Sequence, residues 1–228
     1  MATLALTPLE LAALLTSRVC HDVIGPVSAI INGLELMELE EDEAMRKSAL
    51  ELIERSAQSA SSKLQFCRLA FGASGSAGSE IETGEAEAAA RGLIESERTR
   101  IAWSGISRRA PKNKLKTLLN LCLVASSCIP RGGQLSVEVN GDGPAFSFHL
   151  QAKGPNPRIP SHVAELIAGE DPGTPVDAHT VVAYYAGLLA RDSGLVVKFE
   201  AGADAVEIQA TSIGAEPSAV AGERGLGG

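Results

Sequence analysis

The sequence predicts an α+β chain in two parts, a helical hairpin followed by a mainly antiparallel sheet with helices on one face. Three observations carry that expectation. Apolar residues recur at steps of three and four from residue 8 to residue 71. After the Gly/Ser/Ala stretch GASGSAGS at 72–79 the pattern changes to short alternating runs, and two pairs of these runs are joined by Gly-containing turns. At 228 residues the chain is longer than the common single-domain size, which suits two units. Only 4% of residues are aromatic against 45% apolar, so the cores must be aliphatic and alanine-rich.

Thr7-Pro8 followed by Glu10 opens the first helix, with a capping hydroxyl and a proline whose missing N–H costs nothing in the first turn. Leu11, Leu15, Val19, Val23, Val27, Ile30, Leu34 and Met37 then form one stripe expected to be buried. The acidic run ELEEDE at 38–43 interrupts it. A second stripe follows at Met45, Ala49, Leu52, Ser56, Ala60, Leu64, Cys67 and Phe71. An antiparallel hairpin over 1–72 cannot bury two such stripes alone, so a second copy completing a homodimeric four-helix bundle is expected.

Residues 73–80 read as a flexible linker. The second domain, 81–213, opens with a helix over Glu85–Glu97, a strand at Arg100–Trp103 and a helix over Pro111–Cys128. A hairpin over 134–152 turns at Asn-Gly-Asp-Gly. The helix Asp177–Arg191 and a second hairpin over 195–210, turning at Ala-Gly-Ala-Asp, complete the layer. Residues 214–228 lack periodicity and read as a disordered tail.

The net charge of −8 argues against nucleic acid as a partner, and the cluster Arg108, Arg109, Lys112, Lys114 and Lys116 reads as a solvated helix start. Cys20, Cys67, Cys122 and Cys128 lack metal-ligand spacing and read as buried free thiols of a reducing compartment. The N-terminus lacks the flanks of a signal peptide, and no stretch reads as long and apolar enough to span a bilayer. A cytoplasmic protein with no membrane partner is expected.

The segment HDVIGP at 21–26 is where chemistry is expected. His21 lies about 200° round the helix from both Val19 and Val23, so its imidazole points outward. Its face carries Leu14, Ser17, Arg18, Gly25, Ser28 and Asn32, a small and polar strip that another protein could approach. Pro26 costs roughly 3 kcal/mol in a helix interior and is expected to bend or loosen the helix, while Gly25 leaves the ring unshaded. Asp22, held near one ring nitrogen, would fix the tautomer and leave the other nitrogen neutral and nucleophilic. His149, His162 and His179 have no partner at metal-ligand spacing and read as structural or surface residues.

His21, Asp22 and Pro26 resemble the H-box of histidine-kinase dimerisation and histidine-phosphotransfer domains. In that family an ATP-binding α/β domain usually follows, and LLNLCLVASSCIPRGGQLSV at 118–137 resembles its N-box. Asn120, Ala125, Pro130, Gly132 and Gly133 match, but Val124 stands at the metal-binding asparagine and Ser127 at the basic position. Ala152 replaces the adenine-reading aspartate, and residues 172–190 lack the glycine-rich phosphate lid.

A bundle joined to a degenerate ATPase-like sandwich is similar to the ChpT-type histidine phosphotransferases of bacterial cell-cycle phosphorelays, over residues 7 to about 212. The resemblance implies that His21 accepts a phosphoryl group from the phospho-aspartate of a hybrid-kinase receiver and passes it to response regulators without ATP. Asp22 would orient the ring, and Leu14, Ser17, Arg18, Gly25 and Ser28 would be candidate receiver contacts. No cofactor of its own is implied, with Mg²⁺ supplied by the receiver. Two other readings stay open: an autokinase with a divergent nucleotide site, and a non-catalytic dimeric adaptor that docks receivers.

Overall fold

The computed structural model describes residues 2–73, 79–105, 109–141 and 146–213. Helix α1 (Pro8–Leu39) starts with a capping box: the Thr7 hydroxyl accepts from the Glu10 N–H, and the Glu10 carboxylate accepts from the Thr7 N–H at 2.8 Å. Helix α2 (Glu43–Ala70) starts at Asp42, whose carboxylate accepts from the N–H groups of Ala44 and Met45. The short acidic connection makes the two antiparallel neighbours. They approach at Gly33, the one buried residue of α1, where an added Cβ would sit 2.6 Å from Ile53 Cγ1.

The inward faces differ from the sequence stripes. Leu11, Leu15, Val19, Val23, Ile30 and Met37 are partly covered, whereas Val27 and Leu34 are exposed, as are Met45, Leu52 and Leu64 on α2. The cause is helical geometry. Each step of four overshoots a full turn by about 40°, so four such steps in succession carry Val27 most of the way round from Leu11. Pro26 does not interrupt α1, which continues as one helix through the Gly-Pro pair. One lost hydrogen bond is local in a helix of 32 residues, capped at its start and packed along α2. The expectation of no membrane-length apolar stretch is also corrected. By length and a mean hydropathy of 1.2, α1 alone among the described helices meets that criterion. It carries the Arg18–Asp22 ion pair, however, and lies along α2.

The second half follows in chain order as β1 (Glu80–Glu82), α3 (Thr83–Ile94), β2 (Thr99–Ser104), β3 (Arg109–Pro111), α4 (Lys112–Ser127), β4 (Gly133–Asn140) and β5 (Ser147–Lys153). It is completed by α5 (Val163–Ala168), α6 (Val181–Asp192), β6 (Leu195–Ala201) and β7 (Ala205–Ser212). Five strands form one sheet in the order β2-β4-β5-β7-β6, antiparallel except for the β2–β4 pair. Alternation in β4 turns Leu135, Val137 and Val139 inward, where they meet Leu118, Leu119 and Leu121 of α4 in one core. The two expected hairpins are both present, with residues 142–145 of the first turn outside the described residues.

Several boundaries move. Strands β1 and β3, three residues each, are too short to show a period, and their antiparallel pairing takes in the end of the expected linker. Residues 74–78 of that linker and the whole tail from 214 lie outside the described residues. The helix expected to start at Asp177 begins instead at Val181, because Asp177–Thr180 forms a hydrogen-bonded turn in front of it.

The hairpin and the sheet share packing. Phe66, Leu69 and Ala70 of α2 belong to the same core as α3 and α4. Ahead of α1, the Leu4 N–H donates to Gly169 O at 2.9 Å, the Asp171 N–H donates to Ala2 O, and the Leu6 N–H donates to the Tyr184 hydroxyl. The basic cluster corrects its own expectation. Lys114 and Lys116 are buried, and the ammonium of Lys116 donates to Gly72 O and that of Lys112 to Ala73 O, so both lysines fasten the end of the hairpin to α4. Arg108 lies outside the described residues.

Candidate active site

His21 projects from α1 with 59% of its side chain exposed, as its helical position requires. Its Nδ1 stands 3.4 Å from Asp22 Oδ1. Asp22 is largely covered, and its Oδ2 accepts from Arg18 Nε at 2.9 Å, an i,i+4 ion pair along the same helix. A carboxylate can only accept, so in a neutral ring the Asp22 charge favours the tautomer with its proton on Nδ1 and its lone pair on Nε2. Among the described residues nothing hydrogen-bonds Nε2. At 3.4 Å the Asp22 contact is long for a hydrogen bond, so the carboxylate acts on the ring mainly through its charge.

The ring has a second neighbour that sequence reasoning missed. His179, in the turn before α6, stands edge-on to His21 with ring centroids 4.7 Å apart and planes at 80°. Its Nδ1 lies 3.2 Å from Arg18 Nη1, a contact between residues 161 apart in sequence. The turn that presents it is tightly built: Asp177 Oδ1 accepts from the His179 N–H, the Thr180 N–H and the Thr180 hydroxyl. The Thr180 bonds, backbone first and then hydroxyl, hold the Asp177 carboxyl below its ordinary range. The D-x-x-T spacing at 177–180 is visible in the sequence as a helix-start signal, but nothing local connects it with His21.

The candidate contact residues divide. Ser17, Gly25 and Ser28 are exposed around His21, and a Cβ on Gly25 would meet nothing within 4 Å beyond its chain neighbours and its own helix backbone. Leu14 is half-buried and Arg18 is engaged by Asp22 and His179, so these two side chains are less open than their helix face implied. Cys20 is exposed, contrary to the expectation for all four thiols. Cys67, Cys122 and Cys128 are buried, and burial pushes their thiols up to about 11, 12 and 11.

Beside Arg18 and His179 opens a cavity of about 340 Å³ between α4, residues 160–163 and α6. Its lining includes Val124, Ser127, Pro160, Thr180 and Val182 and no carboxylate or carboxamide side chain. Asn120 is buried instead, donating from Nδ2 to Ala70 O at 3.1 Å and Lys116 O at 2.9 Å. It ties α4 to the end of α2. Ala152 is fully buried in β5. His149 lies on the outer face of the sheet, with Nε2 2.7 Å from Glu207, away from this constellation.

An exposed imidazole beside a covered carboxylate, on a helix face that a second macromolecule can reach, is an arrangement that suits phosphoryl transfer between proteins. Residues 83–205 match the family model of the histidine phosphotransferase C-terminal domain. The chain is 43% identical over 205 residues to protein phosphotransferase ChpT of Brucella abortus (strain 2308), spanning 90% of this chain and 97% of that protein. It also matches a solved bacterial phosphotransferase structure at 42% identity and a TM-score of 0.82, covering 92% of this chain and all of that one. The chain belongs to the ChpT-type histidine phosphotransferase family, and it is a phosphotransfer protein of a phosphorelay.

Proposed function

We propose that His21 is the phosphoacceptor and that the protein relays phosphoryl groups from the receiver of a hybrid histidine kinase to downstream response regulators without using ATP. The exposed imidazole with Asp22 at Nδ1 and an unengaged Nε2 carries this reading. The Nε2 lone pair attacks phosphorus of the receiver phospho-aspartate. The N–P bond forms as the acyl O–P bond breaks, and the electron pair returns to the receiver carboxylate. The Nδ1 proton stays in place, and Asp22 offsets the positive charge that develops on the ring. Transfer to the second receiver is the reverse sequence. The receiver supplies Mg²⁺ to the moving group.

The functional unit in this reading is a homodimer acting in the cytoplasm. Ile24, Val27, Ile31 and Leu34 are exposed at steps of three and four on α1, as are Met45, Leu52 and Leu64 on α2, and a second hairpin would cover them in a four-helix bundle. Asp22 orients the acceptor; Ser17, Gly25 and Ser28, with Leu14 and Arg18 behind them, form the receiver contact.

The test uses a hybrid-kinase receiver domain charged with labelled acetyl phosphate. Wild type should acquire acid-labile label and His21→Ala none, while Asp22→Asn should acquire it more slowly at unchanged receiver affinity. Label persisting on His21→Ala would overturn the reading, and label taken directly from γ-labelled ATP would favour the autokinase instead.

A further inference from the structure

The contacts around His21 close into a ring of four side chains: His21 to Asp22, Asp22 to Arg18, Arg18 to His179, and His179 back against the His21 imidazole. Three of the four come from one stretch of α1, and the fourth from the turn before α6. We infer that His179 is a positioning residue for phosphotransfer, holding the His21 ring and the Arg18 guanidinium in one arrangement. This inference rests on the reading of His21 as phosphoacceptor.

The argument is one of donors and acceptors. A guanidinium has no lone pair to offer, so its contact with His179 Nδ1 requires that nitrogen to be unprotonated, and neutral His179 carries its proton on Nε2. In that state His179 draws one arm of Arg18 to itself while Arg18 Nε remains on Asp22 Oδ2. Asp22 is thereby kept at the His21 Nδ1 side, where its charge favours the tautomer with a free Nε2. The ring of His179 supplies the second constraint. At 4.7 Å and 80° it blocks rotation of His21 toward α6, a wall that α1 cannot build from its own small neighbours Ser17, Gly25 and Ser28.

His179 is itself fixed by the Asp177 carboxylate, which holds its backbone N–H at 2.9 Å. The groups that face it are therefore Arg18 and His21 from α1 and Asp177 from its own turn, with Asp22 beyond Arg18. The α/β half reaches the His21 imidazole through this side chain and reads as a brace for the phosphotransfer helix.

The experiment follows single-turnover transfer from a hybrid-kinase receiver domain charged with acetyl phosphate, alongside receiver affinity and the ¹⁵N NMR spectrum of the His21 ring. His179→Ala and His179→Phe should lose roughly ten-fold in transfer rate at unchanged receiver affinity. The phenylalanine variant keeps a ring but has no acceptor for Arg18. His179→Asn, whose side-chain oxygen can take the place of Nδ1, should recover part of the rate. The His21 spectrum should show a lone pair on Nε2 in wild type and a mixture of tautomers in His179→Ala. Wild-type rates in the alanine and phenylalanine variants, or equal loss in all three with an unchanged His21 spectrum, would overturn the inference. Label on His21→Ala in the same assay would instead overturn the phosphoacceptor reading, so the two failures are distinguishable.

Discussion

Helices α1 and α4 are built on opposite terms. In α1 one residue of 32 is buried, while in α4 eleven of 16 are buried, including two lysines and an asparagine. The hairpin leaves Ile24, Ile31 and Leu34 in the open and carries the exposed histidine, whereas Leu115, Leu118, Leu119 and Leu121 of α4 are wholly enclosed. Stability is therefore concentrated in the α/β half and the accessible chemistry in the hairpin. The contrast also bears on two positions where the kinase resemblance expects polar residues: Val124 and Ala152 both belong to the buried core of the α/β half.

The largest effect on this contrast should come from Leu118→Ala. Truncating a fully buried leucine should cost about 2–5 kcal/mol, read as a shift in the urea unfolding midpoint. A loss no greater than that of the exposed Leu64→Ala would break the comparison. Ile24→Glu combined with Ile31→Glu should barely change the stability of one chain, yet weaken the proposed dimer about a hundredfold or more by placing charges in an apolar seam. Sedimentation velocity should then show a monomer that retains its helical circular dichroism. A dimer surviving the double substitution would mean that another surface pairs the chains.

The smallest effects separate two glycines of the same helix. Gly25→Ala should change stability by less than about 1 kcal/mol, since its Cβ meets no side chain outside its neighbours and the gain in helix propensity is offset by crowding against the Pro26 ring. Gly33→Ala should destabilise, because its Cβ falls 2.6 Å from Ile53 Cγ1. Thermal unfolding of the pair checks that the cost falls on Gly33 and not on Gly25. Gly25→Leu should fold equally well and still slow phosphotransfer by covering His21, and a wild-type transfer rate would remove the argument that Gly25 keeps the ring accessible.

Much of the fold was legible because the signals are local. The capping box at Thr7, the acidic break at 38–43 and the alternation on either side of the two hairpin turns each sit within a few residues. The outward projection of His21 was legible for the same reason, since it follows from its angle to Val19 and Val23. The exposure of Val27 and Leu34 was misread because a run of four-residue steps drifts round a long helix. Strands β1 and β3 were missed because three residues carry no period.

By itself the sequence determined the helical hairpin, the two β-hairpins and the outward histidine with its acidic neighbour. Each depends on residues close in sequence, where helix and strand periods dictate direction. Only the tertiary structure decided that Asn120 and Lys116 fasten α4 to the end of α2, and that His179 stands against His21. Those contacts join segments far apart in the chain. Packing of the whole core sets their distances, and no local pattern of residues encodes them.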